Sequence, residues 1–298
     1  MDDRDSWTRY QPGLSGATAP LTGEGVDARR YALEPHILTL VPFLQMTGVV
    51  AELGCGVGTD GRIIARTAHK YIGLDFSPLA LARASQAHAH DTITNSAFIR
   101  ADLRRLPLQG GSCDYVYSHG VVHHVRDSAT VWAEAQRVLR PGGEFCFMVY
   151  HRHSLNHYYG ICVLRRLLLL LAILAPSLAK RLAARRREDE GTVTTHIRGL
   201  REEGPSYLRG SNWLSRNTDG PQNTYSRVYS RAELGAELAH AGLTVGRYEV
   251  GYLNTRVNPP FHALPFRLVD ALAARAGWHL YAIGHKPRES AAVCDGVR

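Results

Sequence analysis

The 298-residue sequence predicts an α/β fold: a mostly parallel sheet with helices on both faces. Three observations predict it. Short apolar runs of strand length alternate with segments of helical period between residues 49 and 150, a glycine-rich turn separates the first such run from the next helix, and the second and third runs each end on a carboxylate. At 45% hydrophobic and 21% charged residues, the chain has enough apolar material for a large core, which excludes a disordered, collagen-like or coiled-coil protein.

Residues 1–27 carry scattered glycines without a period of 2 or 3.6 and read as an arm or lid. From Ala28 to Phe43 the apolar spacing is helical. Val49 to Leu53 is the first strand, Gly54-Cys-Gly-Val-Gly-Thr-Asp the turn, and a helix resumes at Gly61. Lys70 to Asp75 is the second strand, followed by Ser77 as N-cap and Pro78 at the first helical position, where its missing N–H costs nothing. Phe98 to Asp102 reads as the third strand, Asp114 to His119 as the fourth, and Ser128 to Leu139 as a helix closed by Arg140-Pro-Gly-Gly. Glu144 to Tyr150 is the fifth strand. The alternation then stops, and residues 151–227 read as a helical insertion. Ser230 and Glu233 form a capping box that opens the next helix. Strands at Thr244 to Leu253 and Trp278 to Lys286 follow, so 28–150 and 228–286 form one sheet domain, and 287–298 is a polar tail.

A glycine turn between strand and helix lets backbone amides approach a ligand closely, because no Cβ intervenes and the helix start offers unpaired N–H groups. Two registers fit. Gly56-x-Gly58-x-x-Gly61 matches a dinucleotide fingerprint, but the first glycine should follow the strand directly, and that residue is Gly54. Gly54-x-Gly56-x-Gly58, with Glu52 just before it, is therefore the preferred register. Asp75 lies 21 residues beyond Gly54, the distance at which a carboxylate reaches a ribose diol. Asp102, at the end of the third strand, can accept from an exocyclic amine.

These residues resemble the class I S-adenosylmethionine-dependent methyltransferases. Val50 to Asp60, Gly73 to Pro78, Ala101 to Pro107, Cys113 to His124 and Arg137 to Gly143 look like that family's successive motifs, in order and correctly spaced. The resemblance implies a Rossmann-like seven-stranded sheet whose last strand is antiparallel, with S-adenosyl-L-methionine lying across the strand ends. It implies that Glu52, Gly54, Cys55, Gly56 and Gly58 surround the methionine part, that Asp75 takes the ribose hydroxyls, that Phe76 lies on the adenine, and that Asp102 and the Leu103 amide read its edge.

Methyl transfer requires a nucleophile held in line with the methyl group, water excluded, and sometimes a proton acceptor. Candidates at the exits of the fourth and fifth strands are His119, which also borders the cofactor, with His124, Tyr150 and His151. Insertions after the fifth strand lie on the substrate side in this family, so Trp213, Arg216, Tyr225, Arg227 and Tyr229 are the candidate substrate contacts, Arg227 being preferred for an anion. The leucine-rich stretch 161–187 reads either as a roof over the site, the favoured reading, or as an interfacial helix touching anionic lipid; its unbroken apolar part, Leu167 to Ala175, is short for a membrane span.

His151, His153 and His157 have the spacing of metal ligands but no accompanying carboxylate, so no metal is expected. Five scattered cysteines without a C-x-x-C pair support neither a disulfide framework nor a zinc site. The acidic amino terminus lacks a signal-like pattern, which points to the cytoplasm. Lys and Arg total 35 against 27 Asp and Glu, a formal charge of +8, yet no separate recognition domain for nucleic acid is evident. The expected partner is a partly apolar small molecule, such as a specialised metabolite or isoprenoid or quinone-like compound. A peptide or nucleic-acid substrate and a non-methylating cyclase are the alternatives, and oligomeric state, a homodimer included, stays open.

Overall fold

The structure, a computed structural model, describes residues 30–32, 34–175, 190–253 and 264–288. The expected arm at 1–27, the basic end of the leucine-rich stretch and most of the tail lie outside the described residues.

Seven strands form one sheet in the order β3-β2-β1-β4-β5-β7-β6. They are β1 Val49–Leu53, β2 Lys70–Asp75, β3 Ser96–Arg100, β4 Cys113–His119, β5 Leu139–Tyr150, β6 Thr244–Gly251 and β7 His279–His285. The first five pair in parallel, and β7 runs antiparallel to both β5 and β6. Helices α1 Thr59–Ile64, α2 Pro78–His90 and α3 Ser128–Val138 are the crossovers of the parallel part. Beyond β5 come α4 Asn156–Leu174, whose first turns are π-helical, α5 Glu190–Glu203 and α6 Gly210–Thr218; α7 Arg231–His240 and α8 Phe266–Ala276 flank β6.

Alternate strand residues feed two cores, as the period of 2 demands. Ala51, Leu53, Leu74, Val116, Phe147 and Leu280 pack against Trp132 of α3 and Leu234 and Leu238 of α7. Val50, Tyr71, Tyr117, Met148 and Tyr281 face Ile37, Phe43 and Ile64 on the other side. Glu237 of α7 ties the first core together by accepting from Ser128 Oγ and the Trp132 indole N–H, both at 3.0 Å.

The caps read from sequence are present: Ser77 Oγ accepts from the Ala80 amide, and Ser230 and Glu233 form the reciprocal capping box. Several boundaries differ, three of them for a plain local reason. Pro35 interrupts the expected helix over 28–43, leaving a helical turn at 30–32 and a short helix Ile37–Leu40, because its neighbour cannot stay helical. β3 ends two residues early, since Asp102 Oδ1 accepts the Arg104 amide at 3.0 Å and turns the chain. β5 begins at Leu139 instead of Glu144: Gly142, at φ +76°, lets the strand start through a bulge, and Lys286 Nζ donates to the carbonyls of Gln136, in the last turn of α3, and of Leu139, the residue after it.

Candidate active site

In a parallel sheet every strand's carboxyl end opens on one edge, and an antiparallel β7 brings its amino end to the same edge. Leu53, Asp75, His119, Tyr150 and His279 therefore line a single rim.

At the β1 exit, Gly54, Gly56 and Gly58 all adopt positive φ, +76°, +54° and +77°. A Cβ on Gly54 would strike Val121 and one on Gly58 would strike Ala84, so those two glycines serve packing. Gly56 is different: nothing lies within 4 Å of the place a Cβ would take, so this position of the turn is open. The Asp75 carboxylate accepts the Gly56 amide at 2.9 Å and the Ser77 amide at 2.8 Å. Burial pushes its carboxyl above the ordinary value, and the two amides oppose that shift. One carboxylate thus pins the turn to the end of β2 and retains lone pairs for a further donor.

Glu52 lies deeper than the sequence suggests. It is buried, accepts the Tyr71 hydroxyl at 2.6 Å, and burial with nearby Asp60 holds its carboxyl well above the usual range. It supports the turn from below. Cys55 and Leu103 are also buried, and burial pushes the Cys55 thiol up. Phe76 lies under the Arg100 guanidinium, 5.1 Å from its ring centre, while Asp102 is clamped by Arg104 Nη2 at 2.7 Å. An adenine edge would have to share that carboxylate with Arg104.

Beside the turn, Asp60 is buried and accepts four bonds: from Arg30 Nε and Nη2 at 3.1 and 2.9 Å, and from the Tyr31 and Tyr117 hydroxyls at 2.9 Å each. This knot draws the helical turn at 30–32 onto the rim. Tyr117→Phe removes one donor to a buried carboxylate and is expected to cost about 1–2 kcal/mol, seen as a drop in Tm of a few degrees.

Arg30 Nη2 also lies 3.2 Å from His119 Nδ1, and His119 Nε2 lies 3.0 Å from the Tyr281 hydroxyl. A guanidinium can only donate, so Nδ1 carries the lone pair and the Nε2 proton points to Tyr281. Burial, Arg30 and His36 hold this imidazole well below its ordinary pKa. Both nitrogens are committed, so His119 positions groups and is a weak base. Glu34 and His279 stand close by, their donor atoms and one of His119 all within 4.8 Å of one another. The Arg30 charge at the same imidazole opposes a cation there, so no metal is assigned to the trio.

A second cluster spans the exits of β4 and β5. The Tyr150 hydroxyl donates to Asp219 Oδ1 at 2.7 Å, and Asp219 Oδ2 lies 3.3 Å from His124 Nε2. His124 Nδ1 meets the Tyr225 carbonyl and Ser226 Oγ, each at 3.0 Å; the carbonyl only accepts, so Nδ1 bears a proton and Nε2 is the atom turned to Asp219. Burial and Asp219 push the Tyr150 phenol well up. The His123 ring packs 3.7 Å from Tyr150 and is fully buried, yet neither of its nitrogens has a hydrogen-bond partner among the described residues. Trp278 stacks on the other side of Tyr150 at 4.3 Å.

Several sequence candidates stand elsewhere. His151 bonds the Gly277 carbonyl through Nδ1 at 3.1 Å and bridges to Tyr229, which is buried in the main core. Trp213 is buried inside the insertion and donates to the Ile161 carbonyl at 2.8 Å. Arg216 is paired with Glu203 and stacks on Tyr207. Arg227, favoured for an anion, is paired with Glu237 at 2.6 Å and lies over Tyr229. Tyr225 is covered by Arg126, though its carbonyl orients His124. These side chains build the walls. His153 and His157 likewise serve local contacts, to Tyr158 and the Arg152 carbonyl.

Arg30, Asp60, His279 and Tyr281 were not singled out from sequence, although His279 and Tyr281 carried a signal: they alternate along one strand and so share a face.

Residues 51–147 match the protein family described as "Methyltransferase domain". A Mycolicibacterium smegmatis protein named as a probable S-adenosylmethionine-dependent methyltransferase is 38% identical over 132 residues, 42% of this chain and 49% of that protein. The sterol 24-C-methyltransferase of Saccharomyces cerevisiae is 30% identical over 120 residues, 40% of this chain and 31% of the yeast protein. The chain thus aligns with half or less of the length of these curated relatives. Among solved structures, an S-adenosylmethionine-dependent methyltransferase from Mesorhizobium loti superimposes with a TM-score of 0.51 at 20% identity, covering 84% of this chain and 96% of that one, a likeness of fold.

Proposed function

The chain carries a domain of the class I S-adenosylmethionine-dependent methyltransferase superfamily, and on that premise we propose that it moves the sulfonium methyl group to an oxygen, nitrogen or carbon of a partly apolar small molecule. The observation that carries this reading is the open Gly56 position over a carboxylate already ordered by two backbone amides. Asp75 would hold the ribose diol, Phe76 and Leu103 the adenine, and the Gly54–Gly58 turn the amino-acid end. When bound, the cofactor supplies an electrophilic methyl; this chain's residues orient the acceptor, exclude water and take up a proton where the acceptor has one.

The substrate side is aromatic. Tyr150 and Trp278 pack with Ile161, Leu169, Tyr207 and Trp213 of the insertion, so an apolar wall faces the rim. Within that wall, Tyr150, Asp219 and His124 form a chain of exchangeable protons, and we assign the proton-accepting role to Asp219 with His124 behind it. Tyr150 orients the carboxylate. Asp219→Asn keeps the shape but removes the charge, and kcat is expected to fall roughly 10²-fold with little change in cofactor affinity. An unchanged kcat would remove Asp219 from the chemistry.

The test of the reading itself is titration calorimetry with S-adenosyl-L-methionine and S-adenosyl-L-homocysteine, followed by detection of the demethylated product after incubation with candidate acceptors. Binding of neither compound overturns it. Binding without turnover on any acceptor would favour a cofactor-retaining, non-methylating enzyme.

A further inference from the structure

Helix α4 has two apolar faces, and among the described residues only one of them is covered. Ile161, Leu169 and Ala172 are buried, the first two in the cluster that holds Tyr150 and Trp278 at the rim. On the opposite side Val163, Leu167, Leu170 and Leu174 are exposed at 49%, 57%, 51% and 75%. Their spacing of 4, 3 and 4 residues lines them up as one stripe, which an ordinary surface helix would fill with polar groups. Ile173 extends the stripe on one flank.

The helix Asn156–Leu174 is long and apolar enough by length and composition to cross a membrane. Its contacts argue that it lies flat: a helix buried along one side at Leu169 and Ala172, packed on α5 and tied by the Trp213 indole N–H donating to its Ile161 carbonyl, presents only its outer side to a bilayer. The polypeptide that continues from it reads Lys-Arg-Leu-Ala-Ala-Arg-Arg-Arg over residues 180–187, five cations in eight residues, before Glu188, Asp189 and Glu190. A leucine stripe followed by a basic run is the combination that inserts apolar side chains at the headgroup boundary and pairs cations with anionic lipid.

We propose that the outer face of α4 docks on an anionic lipid surface and that the acceptor is an amphiphile dissolved in that surface. The proposal rests on the methyl-transfer reading for its substrate half only. Because Ile161 and Leu169 on the inner face of the same helix belong to the apolar cluster that holds Tyr150 and Trp278, docking sets that cluster between the lipid and the rim and gives an apolar acceptor a short path to it.

Full-length protein would be sedimented with sucrose-loaded phosphatidylcholine vesicles, alone or with about 30% phosphatidylserine. The expected result is pelleting with the anionic vesicles, at least about 10-fold weaker with phosphatidylcholine alone and weakened by salt. The triple variant Leu167→Gln, Leu170→Gln, Leu174→Gln alters exposed side chains only; it should keep its Tm and lose about 100-fold in partitioning. Wild type that stays in the supernatant with both vesicles, or a variant that pellets as well as wild type, overturns the proposal. So does light scattering that finds a wild-type dimer and a monomeric variant, since the stripe would then be covered by a second copy. Calorimetry with S-adenosyl-L-homocysteine on the same samples separates the two readings. Retained cofactor binding without pelleting sinks the lipid surface alone, and pelleting without cofactor binding sinks the methyl-transfer reading and, with it, the proposed acceptor.

Discussion

Asp75→Ala is expected to weaken binding of S-adenosyl-L-methionine by roughly three orders of magnitude, from two losses that act together. The first is direct: a ribose diol offers two hydroxyls, and a hydrogen bond to a charged group contributes about 1.5–3 kcal/mol. The second acts through the turn. The carboxylate currently accepts the Gly56 and Ser77 amides, and without it both N–H groups lose their partner and the turn loses the brace that holds the open Gly56 position toward the ligand. Asp75→Asn should fall between the two, since one carbonyl oxygen replaces two carboxylate oxygens and the added NH₂ cannot accept. Calorimetry on the three proteins, with Tm recorded for each, separates the effects. A Kd unchanged in Asp75→Ala would show that the nucleotide is held elsewhere.

Acidification is expected to destabilise the protein steeply between pH 6.5 and about 4. Burial lowers the pKa of His36 and His196 to about 4, and holds His119, His123 and His279 well below the ordinary imidazole value; His88, His151 and His157 shift the same way. The folded state therefore keeps these rings neutral while the unfolded chain protonates near pH 6.5. Where the unfolded state binds more protons, stability rises with pH, so the contribution is complete above 6.5 and is lost as pH falls toward the folded-state values. Glu34, Glu52 and Asp75, raised by burial, act in the opposite sense: their neutral forms favour the fold, so some of the loss is offset as they protonate. The histidines outnumber them. A net change of several kcal/mol, on the order of 10 °C in Tm between pH 7 and 5, should appear in thermal melts across buffers of equal ionic strength. A flat profile would mean that water reaches these rings.

Much of the sheet domain was legible in the chain itself. β2 begins and ends where the sequence places it, and Ser77, Pro78, Ser230 and Glu233 cap their helices as read, because capping is chemistry between residues two to four apart. The glycine turn was legible for the same reason. Its three glycines sit in left-handed conformations that a local sequence must provide for, although only the tertiary structure shows that Gly54 and Gly58 are packed against side chains while Gly56 is open.

The fate of the candidate side chains was not legible. Arg227 and Trp213 look from sequence like an anion contact and a substrate platform, but Glu237 and the Ile161 carbonyl, both distant in the chain, claim their polar atoms. Asp219 reaches Tyr150 and His124 only because α6 ends above the rim, and Arg30 reaches Asp60 and His119 only because the turn at 30–32 folds across the glycines. Local order follows from the geometry of neighbouring peptides, which the sequence carries outright: strands, caps, turns and the domain's family likeness. Which imidazole is committed, which carboxylate waits beside a phenol, and which side of α4 is left bare depend on pairings across scores of residues, and only the packed chain decides them.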